Sequence, residues 1–252
     1  MNKTAYREMV LASWREIVRT PVNLFLSVLF PLCFVFMFAF LPDVRVADRS
    51  VPISGLAFGL PAVLIFATLS LGVLGTAAPL TVYRQRGVLR ILGCTPVSRL
   101  GFIAAQVPVR LGVVVAEFAL IFLTGAVAGE VRLSGLPAAL LTLLVVAGCM
   151  LSLGFLVGGL LRSPELLGAI GGILMPVVLF ASGVMLPMGM MPSAVRLLAR
   201  GLPFTYMGDL LRHQLLGVPA EHPLWLSYAA IVGATVLLAG LTVHTFRWDE
   251  EK

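Results

Sequence analysis

Long apolar runs separated by short basic connections make up most of the chain. Runs with few or no charges occupy residues 22–41, 53–82, 101–128, 133–161, 166–186 and 224–246. A helix rises 1.5 Å per residue, so roughly 20 residues cross the ~30 Å hydrocarbon layer. Six membrane-spanning helices are therefore predicted, and an even number places both termini on one side. The opening segment, residues 1–20, has a different pattern. Tyr6, Val10, Trp14 and Ile17 share one helical face, and Arg7, Glu8, Arg15 and Glu16 share the other. That predicts an amphipathic helix lying in the headgroup plane. A cleaved leader is disfavoured, because the amphipathic segment is long and the apolar run after it exceeds a leader's core.

Between residues 187 and 223 the periodicity breaks. Pro187, Pro192, Pro203 and Pro219 divide the segment into pieces too short to span. Short outer interfacial or re-entrant helices are expected there, shielded by protein or lining a wet cavity.

Composition supports the membrane reading: 59% of the residues are hydrophobic and 12% charged. Soluble domains carry about twice that charged share. The net charge of +6 comes mainly from Arg at the ends of the apolar runs, where it suits lipid headgroups better than nucleic acid. With the N-terminus inside, 11 basic residues fall on inner segments and 6 on outer ones. Both termini are therefore expected in the cytoplasm of a multi-pass cell-membrane protein. The connection over residues 83–100 sets this orientation most firmly, with Arg84, Arg86, Arg90 and Arg99 and no acid.

Candidate chemistry is sparse. The two lysines, Lys3 and Lys252, do not follow a Gly-rich loop, so the chain has no Walker ATP site of its own. Cys33, Cys94 and Cys149 are scattered, as are His213, His222 and His244, and neither set has disulfide or metal-ligand spacing. Arg110 and Glu117 are the charges well inside a predicted run. A midplane charge costs roughly 2.5–3.5 kcal/mol on insertion scales. Arg110 is expected to snorkel toward the inner surface. Glu117 lies deeper, where it would serve either as a structural hydrogen-bonding group or in handling protons or a cationic substrate. Gly55-x-x-x-Gly59, Gly125-x-x-x-Gly129 and Gly154-x-x-x-Gly158 suit close helix packing, by default within one subunit.

Two segments carry a resemblance. The inner connection reads Tyr83-Arg84-Gln85-Arg86-Gly87-Val88-Leu89-Arg90-Ile91-Leu92-Gly93-Cys94-Thr95-Pro96-Val97-Ser98-Arg99. It resembles the E-R-G-T-L-x-x-L-x-x-T-P-V loop of type-2 ATP-binding-cassette (ABC) export permeases, the daunorubicin-resistance class included, with Gln85 for the acid and Val88 for the Thr. The outer segment has Pro176, Ser182-Gly183, Pro187, Met191-Pro192, Pro203, Thr205-Tyr206, Asp209 and Arg212. It is similar to that family's P…SG…P…P…P-x-T-Y…R run.

The resemblance implies an all-α integral membrane domain, residues 1–252, that works as an exporter's permease subunit. Its partners would be a separate ABC ATPase, which binds ATP and Mg, and a second identical or similar permease. Arg84, Arg86, Gly87, Leu89, Arg90, Leu92 and Pro96 would then form a coupling helix docked on the ATPase. Ser182, Pro192, Pro203, Tyr206, Asp209 and Arg212 would shape the outer region. Hydrophobic or amphipathic drugs are the expected cargo, with lipid, polysaccharide or peptide export as alternatives. An ion-coupled secondary transporter, a non-transporting assembly or immunity protein, and an intramembrane serine protease are weighed against this. The protease is disfavoured because Ser182 and His244 should end near opposite membrane faces and Phe180 occupies the position of the motif Gly.

Overall fold

The computed structural model describes residues 3–19, 21–42, 53–95, 97–161, 163–184 and 191–246. Arg45, Arg49, Pro96, Arg162, Pro187 and the segment 247–252 lie outside the described residues. Among the described residues the regular structure is helical. In chain order the helices are α1 (Lys3–Arg19), α2 (Pro21–Ala39), α3 (Gly55–Gly72), α4 (Ala78–Gln85), α5 (Val88–Gly93), α6 (Arg99–Val127), α7 (Leu136–Leu160), α8 (Pro164–Ala181), α9 (Ser193–Arg200), α10 (Pro203–Leu216) and α11 (Leu224–Thr245). A π-helical segment, Val73–Ala77, joins α3 to α4 without a break.

Five helices among the described residues are long and apolar enough to cross a membrane: Gly55–Gln85, Arg99–Val127, Leu133–Leu160, Pro164–Ala181 and Leu224–Thr245. Helix α2 is an uncharged 19-residue helix in the first predicted run.

Local chemistry sets several helix ends. Ser54, Ser98 and Ser163 cap α3, α6 and α8, each side chain accepting a backbone N–H at 3.1 Å. Gly183 has φ 67°, and its left-handed conformation closes α8 before the end of the predicted apolar run 166–186. Gly217, with φ 67°, ends α10, its N–H bonding to His213 O at 2.9 Å.

The α3–α4 column is the axis of the fold. It is buried on nearly every face, because α2, α6, α7, α8 and α10 all pack around it. Leu60, Leu64, Ile65, Leu69 and Leu80 on this column pack with Leu143 and Met150 of α7 in one continuous core. In hydrocarbon such association relies on close packing more than on expulsion of water, and the small residues sit at the contacts. A Cβ on Gly154 would strike the Gly72 carbonyl, and one on Gly158 would lie 2.7 Å from Ala77 Cα. Gly55 and Gly59 likewise admit Phe38 and Leu41 from the end of α2. These contacts lie within one subunit. Helices α8 and α11 are peripheral, and a Cβ on Gly168 or Gly172 of α8 would meet open space.

The α3–α7 contact predicts that Gly154→Leu lowers stability by about 1–3 kcal/mol through overpacking. Gly172→Ala should stay within about 0.5 kcal/mol of the parent. Thermal unfolding of the two purified variants in detergent checks the contrast, and equal losses would contradict it.

Candidate functional site: a buried arginine beside a basic elbow

The elbow begins where α4 ends. Gly87 adopts φ 72°, a turn that favours a residue without a side chain, and α5 follows as a single short helix. Thr95 Oγ1 donates to Leu92 O at 2.6 Å and helps close it. Leu89 was expected on the docking face, but it is 1% exposed and belongs to the core. The outward side of the elbow carries Arg86 at the end of α4 and Arg90 and Ile91 of α5, Ile91 being 68% exposed, and Leu92 is half-buried. The correction has a simple cause. The α4–α5 turn folds α5 back on the bundle, so one apolar residue of its single turn must face inward.

Arg110 also departs from expectation. It does not snorkel: it is 0% exposed and bridges three elements. Its Nε donates to Thr76 Oγ1 at 2.8 Å, Nη2 to Gly75 O at 2.9 Å, and Nη1 to Ser13 Oγ at 3.2 Å and Gln106 O at 3.4 Å. Phe155 of α7 lies under the guanidinium, 5.7 Å from its carbon to the ring centroid. The π-helical segment makes this possible. Its i→i+5 bonding disturbs the ordinary ladder, and two neighbouring groups of the segment, Gly75 O and Thr76 Oγ1, face the arginine. Thr76 Oγ1 in turn donates to Leu71 O at 3.1 Å.

Helix α1 completes the cluster from the other side. It runs along the first half of α6, with Tyr6 Oη donating to Ala104 O at 3.4 Å and Ser13 meeting Arg110. Glu16 hydrogen-bonds Tyr83 and interacts electrostatically with Arg110. The face of α1 turned to the bundle thus carries Tyr6, Met9, Ser13 and Glu16, while Trp14 and Val18 are exposed. Of the predicted membrane-facing stripe, Tyr6 and Trp14 are exposed and Val10 and Ile17 half-buried, while Ser13 faces the buried guanidinium.

Glu117 occupies the same face of α6, two turns deeper. Its side chain is buried, and neither carboxyl oxygen has a hydrogen-bond partner among the described residues. Of its two expected roles, a hydrogen bond to a neighbouring helix is not among those observed between described residues.

The outer residues converge on the end of α8. Pro192 precedes α9 and Pro203 starts α10. Thr205 Oγ1 donates to Ala181 O at 2.7 Å, and Arg212 Nη2 to Gly183 O at 2.7 Å. Gly208 lets α10 approach the Ser182 carbonyl. The Asp209 carboxylate accepts the backbone N–H groups of Glu221 and His222 at 2.9 and 3.0 Å, anchoring the entry to α11. Tyr206 donates to Arg200 O at 3.2 Å and lies edge-on to His222. These residues act as fasteners for the outer helices. Ser182 is buried, with its hydroxyl donating to Leu179 O at 2.7 Å, whereas His244 is exposed, which is no arrangement for a nucleophile and its base. Among the described residues no cluster of His, Cys, Asp and Glu could hold a metal ion.

The described residues form an all-helical bundle with five helices long and apolar enough to cross a membrane, a short basic elbow and a cap of two short helices, the architecture of a membrane-embedded permease. Residues 4–216 match the ABC-2 type transporter family, and the chain belongs to that family. It is also similar to YvfS of Bacillus subtilis (strain 168), whose name gives it provisionally as a transport permease. The two are 21% identical over 242 residues, 95% of this chain and 96% of the relative.

Ser13, Thr76, Gln106 and the π-helical segment were not singled out in the sequence. A threonine at the end of a long apolar run, one turn's reach from a buried arginine, was the available signal. Arg110→Leu should destabilise the fold by about 3–5 kcal/mol, because Glu16 and two hydroxyls lose their partner. Arg110→Lys should recover only part of this, since an ammonium cannot reproduce the planar fork. Unfolding of the two variants, compared with Thr76→Val, measures the ranking.

Proposed function

We propose that this chain is one of two permease subunits of an ATP-driven exporter that moves hydrophobic or amphipathic small molecules out of the cell. The observation that carries the reading is a cavity of about 450 Å³ between the central column and α8. Phe66, Val73 and Leu74 form one wall, and Leu167, Gly171 and Met175 the other, with Ser70 as a polar point. Such a lining suits lipophilic cargo and disfavours sugars. Leu166, Ile173 and Val177 leave α8 with an exposed apolar flank beside the cavity, so a second permease packed there would enclose a path between subunits. In this reading α2 is the sixth span, α1 lies at the inner interface, and α9 and α10 cap the outer side.

Energy enters at the elbow. A separate ABC ATPase would bind ATP and Mg and dock against Arg86, Arg90 and Ile91. Closure of paired ATPases would push α5 and, through the Arg110 cluster, α1, α4 and α6. Glu117 supports a second reading, ion-coupled transport, because a buried carboxyl without a partner is a group a cation or proton would engage.

Ile91→Asp should leave the permease folded but cut co-purification of an ABC ATPase from its native membranes about tenfold, as removal of a central interface anchor does. Undiminished recovery would contradict docking at α5. Gly172→Trp, which projects into open space beside the cavity, should make cells as sensitive to lipophilic toxic compounds as a deletion strain. Glu117→Gln should leave export unchanged in ATP-driven vesicles, whereas loss of gradient-driven flux would favour the second reading.

A further inference from the structure

A second cavity, of about 230 Å³, lies on the other side of the Arg110 cluster, between α1, α5 and the start of α6. Met9, Val88, Leu92 and Phe102 give it apolar walls. At its base sits Gln106, 4% exposed, with neither amide atom bonded to a described residue. A buried amide left without partners is costly to the fold. Here it lines a space large enough for a ligand to supply both partners.

The groups around this space narrow the class of ligand. A primary amide offers two donors and an acceptor, so the complementary group both accepts and donates, as hydroxyls do. The neighbouring charges, Glu16 and Arg110, already interact with each other, so nothing calls for a charged headgroup. Liquid water occupies about 30 Å³ per molecule, and the cavity therefore has room for a glycerol unit and the first few methylenes of a chain. The rim is exposed at Ala12 of α1, and an acyl chain leaving the cavity there would run out along the surface of the bundle.

We propose that this cavity binds the hydroxyl-bearing glycerol end of an uncharged glyceride from the inner leaflet, held by Gln106 and wedged between α1 and the coupling helix α5. The site is separate from the proposed export path. It rests on the placement of α1 at the inner membrane interface.

The test uses the full chain in phosphatidylcholine nanodiscs and a diazirine-bearing 1-monoacylglycerol as the probe. Photolabelling should be saturable, should map to peptides holding Ser13 or Gln106, and should be competed by 1-oleoylglycerol. Gln106→Leu should reduce it about tenfold, the worth of two neutral hydrogen bonds. Ala12→Trp, a change at the exposed rim that spares the core, should block labelling to a similar degree if the leucine variant is poorly folded. Equal labelling of parent and both variants would overturn the site. So would equal labelling by a diazirine fatty-acid methyl ester, which lacks hydroxyls. Labelling confined to the Trp14 face would leave α1 at the interface and overturn the site alone. Absence of label from α1 altogether would overturn both the site and the placement of α1.

Discussion

A guanidinium with no exposure to solvent has to be surrounded by acceptors, and much of this structure follows from that requirement at Arg110. Burying the charge unpartnered would cost far more than any packing gain could offset. Its neighbours supply oxygen from Ser13, Gly75, Thr76 and the Gln106 backbone. They come from three stretches of chain: α1, the π-helical segment and Arg110's own helix α6. The same constraint therefore orients α1, holds the departure from α-helical pitch at Val73–Ala77, and seats the inner half of α6.

The elbow is tied to this cluster. Helix α5 is too short to be stable alone, yet it is anchored inward by Leu89 and flanked by a column that the arginine ties to α1. If an ATPase docks there as proposed, a push on the exposed face of α5 would pass through packed and hydrogen-bonded groups. At the far end Thr205, Asp209 and Arg212 fasten α10 to α8 and α11 by bonds to backbone groups, so the cap is coupled to the ends of both peripheral helices.

The helices were legible because apolar runs of membrane length leave the backbone one economical way to bond itself. The positive φ at Gly87 fits its residue type, since a glycine between two helical pieces readily takes a left-handed turn. Side-chain direction on short amphipathic pieces was not legible. Whether Leu89 or Ile91 faces the bundle depends on a turn geometry that residue types alone leave open. Tyr6 and Trp14 share a face by spacing, yet Ser13 and Glu16 turn inward because of a charge almost a hundred residues away. The π-helical segment was hidden altogether, since Val73-Leu74-Gly75-Thr76-Ala77 is unremarkable as an apolar helix.

That five-residue segment touches two compartments at once. Gly75 and Thr76 face the arginine, while Val73 and Leu74 border the large apolar cavity beside α8. A π segment holds one more residue per local turn than an α-helix does, and each residue corresponds to about 100° of rotation about the axis. Rewinding it to ordinary pitch would withdraw an oxygen from the guanidinium and, in the same motion, turn a different side chain into the cavity wall. One helical register therefore serves both the oxygen shell of a buried charge and the wall of a greasy chamber.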